Sequence, residues 1–224
     1  MRKIIITGSE GLIGKEVTSF FNKKDNVIRC DLSLGHDLND EKFVKTFFEN
    51  NKADYLINLF ALNHHIGDNI DSNKIFDISL KSFDKYLKVN LTSLFSVCRE
   101  FAINNQMSSI VNFSSTYGCV SPLPNLYDED EKHIGYGVSK AGVIHLTKHL
   151  ATHLAPNIRV NCVTPGGVNF LQSEDFKKKY DKLTPMKRMM RADELNGILD
   201  FLCSEKSSYM TGENIKVDGG WTAW

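Results

Sequence analysis

The sequence predicts a doubly wound parallel α/β sheet of about six strands. Two observations carry that expectation. Short β-branched and aliphatic runs alternate with longer helical stretches between residues 3 and 217, the pattern of repeated strand–helix units. The run 55–59 lacks polar alternation, as expected of a strand buried on both faces. A chain of 224 residues suits a single domain covering 1–224 and can bury a sizeable core without staples.

The elements follow in order. Residues 3–7 read as the first strand. The opening is basic and then apolar, like a secretory signal, but the apolar run is only Ile4 to Ile6 and a glycine-rich turn follows. Residues 11–22 read as a helix, 26–30 as a strand, 41–50 as a helix and 55–59 as a strand. A long helix over 82–104 is indicated by Phe83, Leu87, Leu91, Leu94, Phe95 and Cys98. Then come a strand at 110–113, a helix at 137–154 ended by Pro156, a strand at 159–163, a helix at 193–203 and a last strand at 214–217. Two stretches read as neither: 119–134, with the acidic run Asp128-Glu129-Asp130-Glu131, and 166–191, rich in Lys and Met. Both follow strands at the carboxyl edge of the sheet, where ligands bind in such folds.

One connection is short. Only Leu32, Ser33, Leu34, Gly35 and His36 separate Asp31 from Asp37. A crossover into a parallel sheet needs about a dozen residues or more. The strand at 26–30 is therefore expected at or next to an edge.

Composition excludes several classes. Lys+Arg and Asp+Glu both number 27, so the net charge is zero, with no general attraction to nucleic acid or an anionic membrane. No apolar run approaches the roughly 20 residues of a spanning helix. Five widely spaced cysteines, Cys30, Cys98, Cys119, Cys162 and Cys203, form no Cys-x-x-Cys pair. They read as buried small hydrophobes in a reducing cytoplasm.

Two constellations carry chemistry. The first strand runs into Thr7-Gly8-Ser9-Glu10-Gly11-Leu12-Ile13-Gly14. Glycines at a sharp strand-to-helix turn let the backbone approach a pyrophosphate, and the amides opening the helix face its charge. Asp31 ends the second strand, 17 residues after Gly14, where a carboxylate can accept the adenosine ribose hydroxyls and repel a 2′-phosphate. Glu10 adds a second negative charge, so NAD is favoured over NADP. The other constellation is Tyr136-Gly137-Val138-Ser139-Lys140. On a helix, positions i and i+4 share a face, and a nearby ammonium stabilises phenolate, making tyrosine a usable acid/base. The pair Ser114-Ser115 ends a buried strand, with Ser115 lying 21 residues before Tyr136.

Together these residues resemble the short-chain dehydrogenase/reductase family over nearly the whole chain, which implies a Rossmann fold. By that resemblance Ser115, Tyr136 and Lys140 are catalytic, and Asn90, in Val89-Asn90-Leu91, holds a water that relays protons to Lys140. Gly8, Ser9, Glu10, Gly11, Leu12, Ile13 and Gly14 resemble the cofactor fingerprint, and Asp37 and Leu38 the adenine-contacting pair. Leu59, Phe60 and Ala61 follow Asn58 where the family has Asn-Asn-Ala-Gly. Pro165, Gly166 and Val168 belong to the turn that meets the nicotinamide. Residues 209–220 match the carboxyl-terminal signature. Phe170 stands where a threonine often holds the carboxamide. The glycine spacing and the long Ser115-to-Tyr136 interval resemble the sugar-nucleotide branch, the tail the short-chain branch. The nearest likeness is to members from bacterial surface-glycan and flagellin-modification clusters.

The implied activity is NAD(H)-dependent interconversion of a secondary alcohol and a carbonyl on a small molecule, with a sugar or sugar nucleotide as one substrate class. Alternatives are a sugar-nucleotide epimerase or dehydratase with tightly held NAD, and an NAD-sensing protein without turnover. A homodimer or homotetramer, paired through the helices near 82–104 and 137–154, is implied by the same resemblance. His145, His149 and His153 repeat every four residues, but no cysteine or carboxylate is placed by sequence to complete a zinc tetrad. They read as surface or interface histidines, and no metal is expected. His64-His65 reads as a polar loop pair and Lys177-Lys178-Lys179 as a solvated face.

Overall fold

The computed structural model describes residues 1–63, 73–127 and 131–224. Its strands are β1 (Lys3–Thr7), β2 (Asn26–Cys30), β3 (Tyr55–Asn58), β4 (Ser108–Phe113), β5 (Ile158–Pro165) and β6 (Asn214–Val217). They form one parallel sheet of six strands in the order β2-β1-β3-β4-β5-β6. The helices are α1 (Leu12–Asn22), α2 (Glu41–Asn50), α3 (Leu80–Leu87), α4 (Ser93–Asn104), α5 (Ile134–Leu154), α6 (Glu174–Leu183) and α7 (Asn196–Leu202).

Strand pleat sorts the core into two layers. Ile4 and Ile6 pack with Val17 and Phe21 of α1 and Leu199 and Leu202 of α7. Ile5, between them, turns to the other face, against Val44 and Phe48 of α2, Phe101 of α4 and Leu150 of α5. Complete burial of one such side chain contributes about 1.5–3 kcal/mol. With both faces covered, the strands show the unbroken apolar runs seen in the sequence.

As the short connection requires, β2 is the edge strand. Between Asp31 and Asp37 lies a single 3-10 turn, Leu32–Leu34, capped by the Asp31 carboxylate and ended by Gly35 at φ 81°. The chain then returns through α2 to β3, on the far side of β1. That reversal puts α1 and α2 on opposite faces and opens a crevice at the carboxyl ends of β1 and β3.

Four expectations need correction. The helix predicted over 82–104 is two helices, α3 and α4, joined by a π turn at Lys88–Thr92. The π turn takes in an extra residue and shifts the buried face, so Tyr86 is buried while Phe95 of the apolar series is exposed. The stretch 166–191 contains a helix, α6, capped by the Ser173 hydroxyl, which accepts the Phe176 amide. Its surface carries charge on most sides, which hid Phe176, Tyr180 and Leu183 at i, i+4 and i+7. The helix expected over 193–203 begins as a 3-10 turn, Ala192–Leu195, before α7. Cys119 is exposed, unlike the other four cysteines, whose thiols burial pushes up to about 12.

Candidate active site

The loop from β1 to α1 is shaped by close backbone approach. Gly8 has φ 70°, and a Cβ there would lie 2.7 Å from the Leu59 carbonyl carbon. A Cβ on Gly14 would run into the carbonyl oxygen of Gly8. These contacts press α1 against the ends of β1 and β3. Gly11 caps α1 without a side-chain hydrogen bond, and the first turn carries no acidic residue. Its amides are thus available to an anion, with the helix dipole behind them. Leu12 is exposed, Ile13 half-buried and Gly14 buried.

Asp31 closes the adjacent corner. One carboxylate oxygen accepts the Ser33 amide at 2.9 Å and hydroxyl at 2.8 Å; the other accepts the Glu10 amide at 3.1 Å. Desolvation raises its pKa, but these bonds outweigh it and hold the carboxyl below the usual aspartate value. Arg29 faces away from Cys30 and pairs with Glu10 at 3.3 Å, while the Ser9 hydroxyl donates to the same Glu10 oxygen at 3.0 Å. Asp37 lies exposed in a turn closed on Asn39, whereas Leu38 is buried against the α2 face. Leu59 and Phe60 are half-buried and Ala61 is exposed.

Across the crevice, β4 delivers Ser115 and α5 delivers Tyr136 and Lys140. The turn after Ser115 packs so tightly on α5 that a Cβ on Gly118 would lie 2.7 Å from the Lys140 carbonyl carbon. Ser114 donates to that residue's carbonyl oxygen at 2.8 Å. The Ser115 hydroxyl accepts the Tyr117 amide at 3.2 Å and lies close enough to the Tyr136 phenol to influence its titration. Burial raises the phenol's pKa and Ser115 works against that rise. The Lys140 ammonium is fully buried, donates to the Phe113 carbonyl at 2.8 Å, and has its pKa lowered by desolvation to about 8. It lies 5.9 Å from the centre of the Tyr136 ring.

Asn90 sits in the π turn. Its side-chain oxygen accepts the Leu62 amide at 2.6 Å. Its amide donates to the Leu62 carbonyl at 3.1 Å and the Ser139 hydroxyl at 3.0 Å. Ser139 in turn donates to the Tyr136 carbonyl at 2.8 Å. The side chain is thus a clamp between the loop after β3 and α5, and its Ser139 arm, spanning 49 residues of chain, has no signal in the sequence. A further arrangement invisible in the sequence is the α5 cap. His133 accepts the Gly135 amide at 3.0 Å and stacks on Tyr86 of α3 at 4.2 Å.

In the turn after β5, Gly166 donates to the Val217 carbonyl and Val168 bridges to Met190. Pro165 is buried and Gly166 and Val168 are half-buried. The Gly167 amide donates to the Tyr180 hydroxyl of α6 at 2.6 Å, and Tyr180 stacks on Trp221 at 4.5 Å. Tyr117, Leu126, Tyr127, Phe176 and Met189 complete this aromatic layer. Phe170 is half exposed, its amide donating to Gln172. Lys177 and Lys179 pair with Glu174 and Asp175 on the surface of α6.

His145, His149 and His153 are exposed on α5, with the last two rings stacked at 4.2 Å. Among the described residues no three His, Cys, Asp or Glu gather as a metal site, and no helix is long and apolar enough to cross a membrane. His64 and His65 lie outside the described residues, as do Asp128, Glu129 and Asp130.

Comparison with known proteins agrees with this geometry. A family model described as Enoyl-(Acyl carrier protein) reductase matches residues 12–222. The chain is 33% identical to the 3-oxoacyl-(acyl-carrier-protein) reductase FabG of Aquifex aeolicus, covering 97% of this chain and 86% of that protein. It is 29% identical to post-translational flagellin modification protein A of Campylobacter coli, covering 94% and 83%. The crystal structure of a short chain dehydrogenase from Leptospira borgpetersenii with bound NAD+ superimposes with a TM-score of 0.89 at 31% identity, covering 99% and 92%. A phosphate-ready helix start, a serine–tyrosine–lysine cluster across the crevice and these likenesses coincide in one chain, which belongs to the short-chain dehydrogenase/reductase family of nicotinamide-dependent oxidoreductases.

Proposed function

We propose that the protein is an NAD(H)-dependent oxidoreductase that interconverts a secondary alcohol and a carbonyl. The observation that carries this reading is the convergence of Ser115 and Lys140 on Tyr136, opposite the open start of α1. The residues present fit a dinucleotide. The α1 amides would hold its pyrophosphate, Asp31 its adenosine ribose, Leu38 its adenine, and Lys140 its nicotinamide ribose. Bound nicotinamide supplies or accepts the hydride. In the reductive direction Tyr136 gives its phenolic proton to the carbonyl oxygen as the carbon is reduced, and Ser115 hydrogen-bonds and orients that oxygen. Lys140 favours the phenolate left behind. Asn90 keeps the loop after β3 in register with α5, and in this reading it would hold a water that passes protons toward Lys140.

Asp31 and Glu10 would set two carboxylates against a 2′-phosphate, and of the nearest cations in sequence, Arg29 and Lys15, the first is already paired with Glu10. NAD is therefore the preferred cofactor. A sugar or sugar derivative is the proposed substrate class, supported by the likeness to a D-arabinitol 2-dehydrogenase of Candida albicans, 36% identical over 64% of this chain. Free cysteines fit a reducing cytoplasm. Half-exposed Phe95 on α4 and Val138 on α5 fit a homo-oligomeric interface. The decisive experiment is a turnover screen with NAD and NADP over sugars, sugar phosphates and nucleotide sugars, run beside Tyr136→Phe. Turnover that persists in Tyr136→Phe rules out this mechanism.

A further inference from the structure

Lys132 stands outside the four residues assigned above, yet its ammonium lies 4.8 Å from the centre of the Tyr136 ring, closer than that of Lys140. It is half-buried and donates to the Asn63 side-chain oxygen at 2.6 Å. That bond joins the residues leading into α5 to the segment after β3, across the mouth of the crevice. A cation over an aromatic face is attracted by the ring, and the attraction grows when the phenol loses its proton and the ring becomes part of an anion. Lys140 meets the same ring from deeper in the protein, with its ammonium already engaged by the Phe113 carbonyl.

We propose that Lys132 is a second positioning cation for Tyr136, stabilising its phenolate from the ring face at the site entrance while Lys140 acts from within α5. The inference rests on Tyr136 being the acid/base. The other groups around the phenol do not supply this charge. Ser115, just past β4, is neutral. Tyr86 on α3 raises the phenol's pKa, and Tyr117 and Tyr127, in the turns after β4, are phenols coupled to it. His133 lies behind Tyr86. Glu131 is exposed and accepts the Ile75 amide.

The test is the tyrosinate absorbance of the full chain, with and without saturating NAD, titrated for wild type, Tyr136→Phe, Lys132→Gln and Lys132→Arg. The transition lost in Tyr136→Phe belongs to Tyr136. It should rise by about one pH unit in Lys132→Gln and return toward the wild-type position in Lys132→Arg, which a purely structural clamp would not require. A Tyr136 transition left in place by Lys132→Gln overturns this inference alone. A wild-type Tyr136 transition in the NAD complex no lower than an ordinary tyrosine's, about 10, removes the acid/base assignment and this inference with it.

Discussion

Asp31 already engages both of its carboxylate oxygens, through Ser33 and Glu10. Oxygens fixed in this way are pre-oriented for ribose hydroxyls and cannot turn aside from a phosphate. Asp31→Ala should weaken NAD binding and narrow the gap to NADP, as measured by calorimetric titration with both. Wild-type protein binding NADP about tenfold more tightly than NAD (roughly 1.4 kcal/mol) would contradict the assignment. Tyr136→Phe keeps the packed ring and removes the proton, so most turnover should vanish while NAD affinity stays nearly constant. Lys140 makes a pH prediction about stability. Its pKa is about 8 in the fold, against 10.5 for an ordinary lysine. Between those values the unfolded chain binds more protons, so this residue's contribution to stability increases with pH. Relative to Lys140→Met, wild type should gain stability from about pH 8 to 10, by up to about 1.4 kcal/mol per pH unit. Urea unfolding of both proteins at several pH values checks the slope. A difference that falls over this window would refute the buried-ammonium picture.

Among the elements, α5 is the one whose placement decides the site. It is held at its start by His133, along its length by Asn90 through Ser139, and from the β4 side by Ser114 and Gly118. Gly118→Ala would force a methyl into the Lys140 backbone. It should destabilise the protein by about 1–3 kcal/mol and lower turnover, because the turn that carries Ser115 must move away from Tyr136. Retained stability and activity in Gly118→Ala would show that the approach is not required. The glycines at 8, 11 and 14, the acid at 31 and the Tyr136–Lys140 spacing were legible because each is tied to local geometry. The clamp of Asn90 on Leu62 was not, since no periodicity links residues 28 apart. Nor was α6, whose single buried residue, Tyr180, is recognisable only once Gly167 and Trp221 are beside it.

At the scale of the whole molecule, sheet order was readable for a simple reason: chain length limits what a connection can do. Five residues cannot make a crossover, and the edge position of β2 follows. The helix faces presented to a second copy are less constrained, because surface composition tolerates many partners. The half-exposed Phe95 and the imidazoles of His145 and His149 lie on α4 and α5, outside the core layers. Sedimentation at micromolar concentration should show a dimer or tetramer, and a charge introduced at Phe95 (Phe95→Glu) should shift it toward monomer. A wild-type monomer under those conditions would remove the proposed pairing.

The one-turn link between Asp31 and Asp37 also bears on how long a cofactor stays. In the proposed placement, the adenine rests on the 31–38 turn, where a single 3-10 turn stands in place of a crossover helix between Asp31 and Asp37. Each Å² of apolar surface left wet forgoes about 25 cal/mol of affinity. Among related complexes such losses appear mainly as faster release. Residence should therefore be brief, with the dinucleotide exchanged against the cellular pool at every turnover. A catalyst that must reoxidise its own bound NADH within one cycle needs the opposite arrangement. With rapid exchange, the intracellular ratio of NAD+ to NADH helps to decide whether alcohol or carbonyl accumulates.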